Sequence, residues 1–142
     1  MEIAIGSDHA GFLIKEYLKK ELRDDDYLVK DFGCYSEESM DYPDVAHPLA
    51  KSISLGKYEK GIIICGTGIG VSMVANKYPN VRVGLCWNNE ITALARQHND
   101  ANILALPARF ISKEEALELV KTFLSTPFEG GRHERRVNKI NI

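Results

Sequence analysis

Residues 61–70 read GIIICGTGIG, a short apolar run that ends in a cysteine and three alternating glycines. The run is β-rich and too short for a helix, so it predicts a buried strand. Glycine adopts positive φ without penalty and admits other groups close to the backbone. The loop after the strand can therefore aim several N–H donors at one point, which makes an anion beside Cys65 the first expectation.

Outward from this stretch the same alternation repeats. EIAIG (2–6), YLVKDFG (27–33), VRVGLC (81–86) and ANILAL (101–106) read as further strands. Helix-length segments lie between them, near 10–23, 43–57, 69–78 and 88–98. The first puts Phe12, Ile14, Tyr17, Leu18 and Leu22 largely on one face, with Lys15, Glu16, Lys19, Lys20 and Glu21 on the wetter side. Ser112 followed by Glu115 opens a capping box for a helix over about 113–125. Regular β-α alternation predicts an α/β fold: a five-stranded parallel sheet with helices on both faces. The tail TPFEGGRHERRVNKINI is too short for a second domain, so residues 1–142 read as a single domain.

Composition narrows the function classes. A 44% hydrophobic and 27% charged chain of 142 residues is ordinary for a globular domain of this size. Its formal net charge of −2 provides no general attraction for nucleic acid, so an anion must be held by local cations. Cysteines 34, 65 and 86 form no CxxC, metal-ligand spacing is absent, and three thiols suit a reducing compartment. The opening MEIAIGSDHAG carries acids where a secretory leader carries bases, and no run of about 18 apolar residues occurs. The expectation is a cytoplasmic protein with no membrane partner.

In open parallel sheets, ligands bind beyond the carboxyl ends of the strands. Ser7, Asp8 and His9 follow the first strand and Cys65–Gly70 the third, so both sit on that rim. His98, Asn99 and Asp100 precede the fifth strand and fall on the opposite edge. They can join the site only from a second subunit or through a bend in the chain.

The glycine loop fails three familiar patterns. A dinucleotide fingerprint needs a third glycine where Val71 stands, and a P-loop needs Lys then Ser or Thr where Val71 and Ser72 follow Gly70. A thiol phosphatase loop wants an arginine at the same position, Val71. What remains is an anion nest with a thiol at its mouth. Cys65 is either a small buried hydrophobe or a reactive thiol, and the adjacent nest and helix N-terminus favour its thiolate. Cys34 and Cys86 lack this setting and read as structural. Asp8 has an alternative role as a helix N-cap, His9 as a turn partner, His98 and Asn99 as a helix end, and Tyr42 as loop packing. Arg132, Arg135 and Arg136, with His133, have the alternative role of a solvated charged face; yet two glycines precede them, and Arg132 and Arg136 are spaced i,i+4, so one helical turn would aim both guanidinium groups at one phosphate.

Taken in order, SDHAG (7–11), DYPD (41–44), CGTGIG (65–70), QHNDANIL (97–104) and GGRHERR (130–136) resemble the type B ribose-5-phosphate isomerases and their galactose-6-phosphate isomerase relatives. The resemblance spans nearly the whole chain. It implies a Rossmann-like three-layer α/β sandwich, an aldose–ketose isomerase without metal or cofactor, and a homodimer, or a tetramer built from it, whose sites combine residues of two subunits. By resemblance Asp8, His9, Tyr42, Cys65, Gly66, Thr67, Gly68, Ile69, Gly70 and Ser72 form one wall. His98, Asn99, Arg109, Arg132 and Arg136 complete it, and the C-terminal segment, about 127–142, serves phosphate binding and the dimer. Asp8, Thr67 and His98 would share ring opening, and Cys65 would move the proton. Some relatives use a glutamate instead of the cysteine, but Ser72–Ala75 offers no carboxylate. A six-carbon sugar phosphate and a non-catalytic sugar-phosphate-binding module are the competing readings.

Overall fold

The computed structural model describes all residues, 1–142. Its strands are β1 (Glu2–Ser7), β2 (Leu28–Asp31), β3 (Lys60–Cys65), β4 (Val83–Leu85) and β5 (Ile103–Pro107). The helices are α1 (Phe12–Asp24), α2 (Pro43–Ser54), α3 (Ile69–Ala75), α4 (Asn89–Asn99), α5 (Lys113–Ser125) and α6 (Arg132–Val137). All strand pairs are parallel, and the spatial order is β2-β1-β3-β5-β4. The expected α/β sandwich is the observed one.

The sheet's period of two explains why both faces are apolar. Ile3, Ile5, Ile62, Ile64, Leu104 and Leu106 point to one side, where Leu18 and Leu22 of α1, Ala95 of α4, and Leu119, Val120 and Phe123 of α5 cover them. The intervening Ala4, Ile63, Cys65, Ile103 and Ala105 point to the other side, under Leu49 and Ile53 of α2 and Val71 and Ala75 of α3. Cys65 thus ends β3 facing the α2–α3 layer. The capping box of α5 forms as its sequence predicts: Ser112 Oγ accepts from the Glu115 N–H, and the Glu115 carboxylate accepts from the Ser112 N–H.

One local expectation is corrected. Lys15 is fully buried rather than on the wet side of α1, because Asp31 at the end of β2 reaches it. Its Nζ donates to Asp31 Oδ2 at 2.6 Å and to Glu16 Oε2 at 3.0 Å, and it lies 5.4 Å from the centroid of the Phe12 ring. Lys19 joins the same two carboxylates. In the tail, Arg132–Val137 forms a helix packed against α4, the helical turn raised by the i,i+4 spacing of Arg132 and Arg136. No helix is long and apolar enough to cross a membrane.

Candidate active site

The strand order creates the site's location. From β1 the chain steps outward to β2 on one side, while β3 lies on the other, so the topological switch point falls between the carboxyl ends of β1 and β3. The loop after β1 carries Asp8 and His9, and the loop after β3 carries Cys65–Gly70. Asp8 is held to β3 by its N–H, which donates to the Ile64 carbonyl at 3.1 Å. Its Oδ1 accepts from the N–H groups of Ala10 and Gly11, at 3.0 and 3.2 Å, capping the 3₁₀ turn that leads into α1. His9 Nδ1 accepts from the Met40 N–H at 3.2 Å, which assigns the ring proton to Nε2 and makes that atom a donor.

The glycine loop is shaped by what touches it. Gly68 sits at φ +74°, in the left-handed region, and this turn brings its N–H to Cys65 Sγ at 3.1 Å. Ser72 Oγ donates back to the Gly68 carbonyl at 2.6 Å, fixing the turn from inside α3. The Ile69 N–H donates to Thr67 Oγ1. By contrast, the N–H groups of Gly66, Thr67 and Gly70 make no hydrogen bond within the chain. They are the nest's free donors. The Tyr42 ring lies over Gly70, where an added Cβ would come within 2.6 Å of Cε1 and Cζ. The Arg109 guanidinium lies over Gly66, within 3.1 Å of where a Cβ would be, because the β5 loop is tied to β3 by Ala108 N–H to Cys65 O and Arg109 N–H to Gly66 O. Asp8, His9, Tyr42, the 65–70 loop, Ser72 and Arg109 of one chain therefore share one rim.

The remaining candidates gather at the other end of the sheet. Gly61, at the start of β3, donates to the Asn102 carbonyl just beyond α4, so the end of α4 with His98 and Asn99 lies at the amino edge. Four residue steps along the strand separate Gly61 from Cys65, about 13 Å at the strand rise. His98, Asn99 and Arg136 line a concavity of about 330 Å³ with His133, Val137 and Ile140. Arg132 and Arg136 stand one turn apart on α6. Arg109 belongs to the thiol rim and not to this group; the β5 connection, invisible to motif reading, decides that.

His133 and Glu129 were not singled out by sequence. The His133 ring stacks on His98 with centroids 4.1 Å apart and planes 10° from parallel. Glu129 Oε1 lies 3.8 Å from His98 Nε2 and 3.6 Å from His133 Nε2. Burial pushes the His133 imidazole below its ordinary range of about 6.5, and His98, Arg132 and Arg136 add to this, while Glu129 opposes it. The GGRHERR motif contained this histidine, but nothing in its spacing pointed to His98. Elsewhere, burial raises the Cys86 thiol above its usual range, partly offset by Thr92, in keeping with a structural role.

The family model of the ribose/galactose isomerases matches residues 3–140. The chain belongs to the ribose/galactose isomerase family. Among characterised relatives, the ribose-5-phosphate isomerase B of Escherichia coli (strain K12) is 40% identical over 139 residues, 98% of this chain and 93% of that protein. A ribose 5-phosphate isomerase of Thermotoga maritima superposes with a TM-score of 0.95 at 52% identity, covering 98% of this chain and 96% of that one. Ribose-5-phosphate isomerase B of Mycoplasma genitalium, solved with bound ribulose-5-phosphate, gives a TM-score of 0.94 at 42% identity over 98% of this chain and 93% of that one. The resemblance read from five short motifs is thus a family membership over the whole fold.

Proposed function

We propose that this chain is an aldose–ketose isomerase interconverting D-ribose 5-phosphate and D-ribulose 5-phosphate through an enediolate. The observation that carries the reading is Cys65 Sγ held by the Gly68 N–H at the switch point, beside a nest whose Gly66, Thr67 and Gly70 N–H groups are free. Relatives named for this activity, one of them holding ribulose-5-phosphate, support the same substrate class.

In this mechanism Asp8, Thr67 and His98 open the sugar ring by moving a proton between the ring oxygen and the anomeric hydroxyl. The Cys65 thiolate takes the proton from carbon 2, and charge develops on the neighbouring oxygen as the enediolate forms. Free N–H donors of the glycine loop stabilise that oxyanion, a contribution of about 3 kcal/mol per well-placed donor. The thiol then returns the proton to carbon 1 while the hydroxyl proton on oxygen 2 passes to oxygen 1, so carbon 2 becomes the carbonyl and atoms and charge balance. Tyr42, Ile69, Ser72 and Asn99 line the sugar's path. His9, Arg109, Arg132 and Arg136 hold the phosphate, guanidinium groups being suited to bidentate phosphate contacts.

The two half-sites lie at opposite sheet edges of one chain, so the reading includes a homodimer in which His98, Asn99, Arg132 and Arg136 of one subunit complete the thiol rim of the other. Residues 1–142 act as one isomerase domain, with about 127–142 serving phosphate binding and dimer contact. Three unpaired cysteines fit a reducing cytoplasm. The test is conversion of ribose 5-phosphate to ribulose 5-phosphate without added metal, beside a Cys65→Ala variant that still binds phosphate. Turnover in the wild type and its loss in the variant is the expected result. Equal turnover in both moves the base elsewhere, and no turnover in the wild type directs the search to six-carbon sugar phosphates.

A further inference from the structure

We infer that His98, His133 and Glu129 form a binding site for a divalent transition-metal ion, and that occupancy withdraws His98 from the reaction. The second clause rests on the isomerase reading; the first does not. One nitrogen from each imidazole and one carboxylate oxygen lie within 4.8 Å of one another. Two donors on a tetrahedral zinc ion stand about 3.3 Å apart, with Zn–N bonds of about 2.0–2.1 Å, so the set closes on an ion by shifts of about 1.5 Å or less. The two rings are face to face, so their lone pairs lie in nearly parallel planes. Metal binding therefore tilts the rings out of parallel so that the lone pairs converge on the ion.

The three ligands come from two segments that the fold already holds together. His98 is in the last turn of α4, and the Glu129 N–H donates to the carbonyl of Gln97 beside it at 3.1 Å. Gly130 and Gly131, at φ +68° and +59°, then turn the chain so that His133 enters α6 under His98. Little conformational freedom remains to be lost on binding. Two imidazoles and one carboxylate select zinc, cobalt, nickel or copper over calcium and magnesium, which want oxygen donors. Arg132 and Arg136 on the same helix repel any cation, which makes the nitrogen donors, and not net charge, the basis of affinity. A water completes the fourth position.

The ion is an inhibitor in this scheme and not a cofactor: a ligated His98 nitrogen cannot exchange a proton with the sugar. The experiment is titration of the apo-protein with Co²⁺ and Zn²⁺, followed by absorption spectroscopy and calorimetry, in the wild type, Glu129→Gln and His133→Gln. One ion per chain, cobalt d–d bands without a thiolate charge-transfer band, and affinity lowered about tenfold or more in each variant are expected, since even outer-shell losses cost that much. Glu129 is half-exposed, so its variant folds even if the His133 change does not. Absence of binding, a thiolate band that moves the ion to Cys65, or unchanged affinity in Glu129→Gln overturns the site. Chelator-reversible loss of isomerase turnover by Zn²⁺ is the expected functional readout. Zinc bound at this site with turnover unaffected overturns the inhibitory clause, while an apo-protein with no turnover refutes the isomerase reading and leaves the binding result standing.

Discussion

The Gly68 backbone N–H donates to Cys65 Sγ at 3.1 Å. A thiol at a strand end needs no such partner if it is only filling space, whereas a thiolate is stabilised by one. The bond exists because Gly68 adopts a positive φ and because Ser72 Oγ holds the Gly68 carbonyl from below. Sequence, loop shape and proposed chemistry meet at this contact.

The first prediction concerns the thiol itself. Cys65→Ser keeps the shape but replaces the proposed thiol base with an alcohol that is almost never ionised near neutral pH. Turnover should fall by about 10²–10⁴-fold, the usual contribution of a positioned base, with KM little changed. Steady-state kinetics on ribose 5-phosphate decide it. A serine variant retaining more than a tenth of the wild-type kcat would remove Cys65 from the base role.

A second prediction follows from the ring above the loop. At Gly70 a Cβ would stand 2.6 Å from Tyr42 Cε1 and Cζ, so Gly70→Ala displaces the ring. Tyr42 is 39% exposed and can swing into solvent, which keeps the cost to stability small. The expected outcome is a KM raised several-fold with Tm nearly unchanged, and Tyr42→Ala should reproduce the KM effect. If Gly70→Ala leaves KM as it was, Tyr42 does not line the sugar's path.

Most of this architecture was legible in the sequence because it rests on local rules. The β-α alternation, the Ser112–Glu115 capping box and the switch-point rule together place Asp8, His9 and Cys65 on one rim. Other features depend on contacts between segments distant in sequence. Lys15 looks solvent-facing by helical period, and only Asp31 at the end of β2 explains its burial. Arg109 enters the site by resemblance alone, grouped with His98, and only the tie of the β5 loop to Gly66 puts it on the thiol rim. His133 meets His98 because α6, a six-residue helix without apolar periodicity, docks on α4. Reading by period is blind to all three.

The buried Lys15–Asp31 pair makes a stability prediction. Burial pushes the Asp31 carboxyl up, but hydrogen bonds from Lys15, Lys19 and the Gly33 N–H outweigh it and hold the group below its ordinary 3.8. A carboxylate with a lowered value in the folded state stabilises the protein above its unfolded value. That contribution fades as pH falls below about 3.8 toward the folded value. Asp31→Asn should therefore cost about 3 kcal/mol at neutral pH, because it leaves a buried ammonium short of its main partner, with Glu16 retaining one bond. Urea unfolding at pH 7 and at successively lower pH tests both halves. The gap between wild type and variant should narrow in acid, and a gap that stays constant would mean the pair carries no charge-dependent stability.

The arrangement of the two half-sites yields the most discriminating prediction. Cys65 and His98 lie at opposite ends of β3, about 13 Å of strand apart, so a site that uses both must draw them from different subunits. Cys65→Ala and His98→Ala should each be nearly inactive as pure proteins. Denatured together in equal amounts and refolded, half of the dimers are mixed, and each mixed dimer rebuilds one intact site and one doubly defective site. The mixture should therefore regain about a quarter of wild-type activity. Refolding each variant alone provides the baseline. If the mixture regains nothing while mixed dimers are shown to form by mass, both residues act within one chain and the shared-site reading fails. Recovery near one quarter requires the partner's His98 at the Cys65 rim, because no single chain in the mixture carries both side chains.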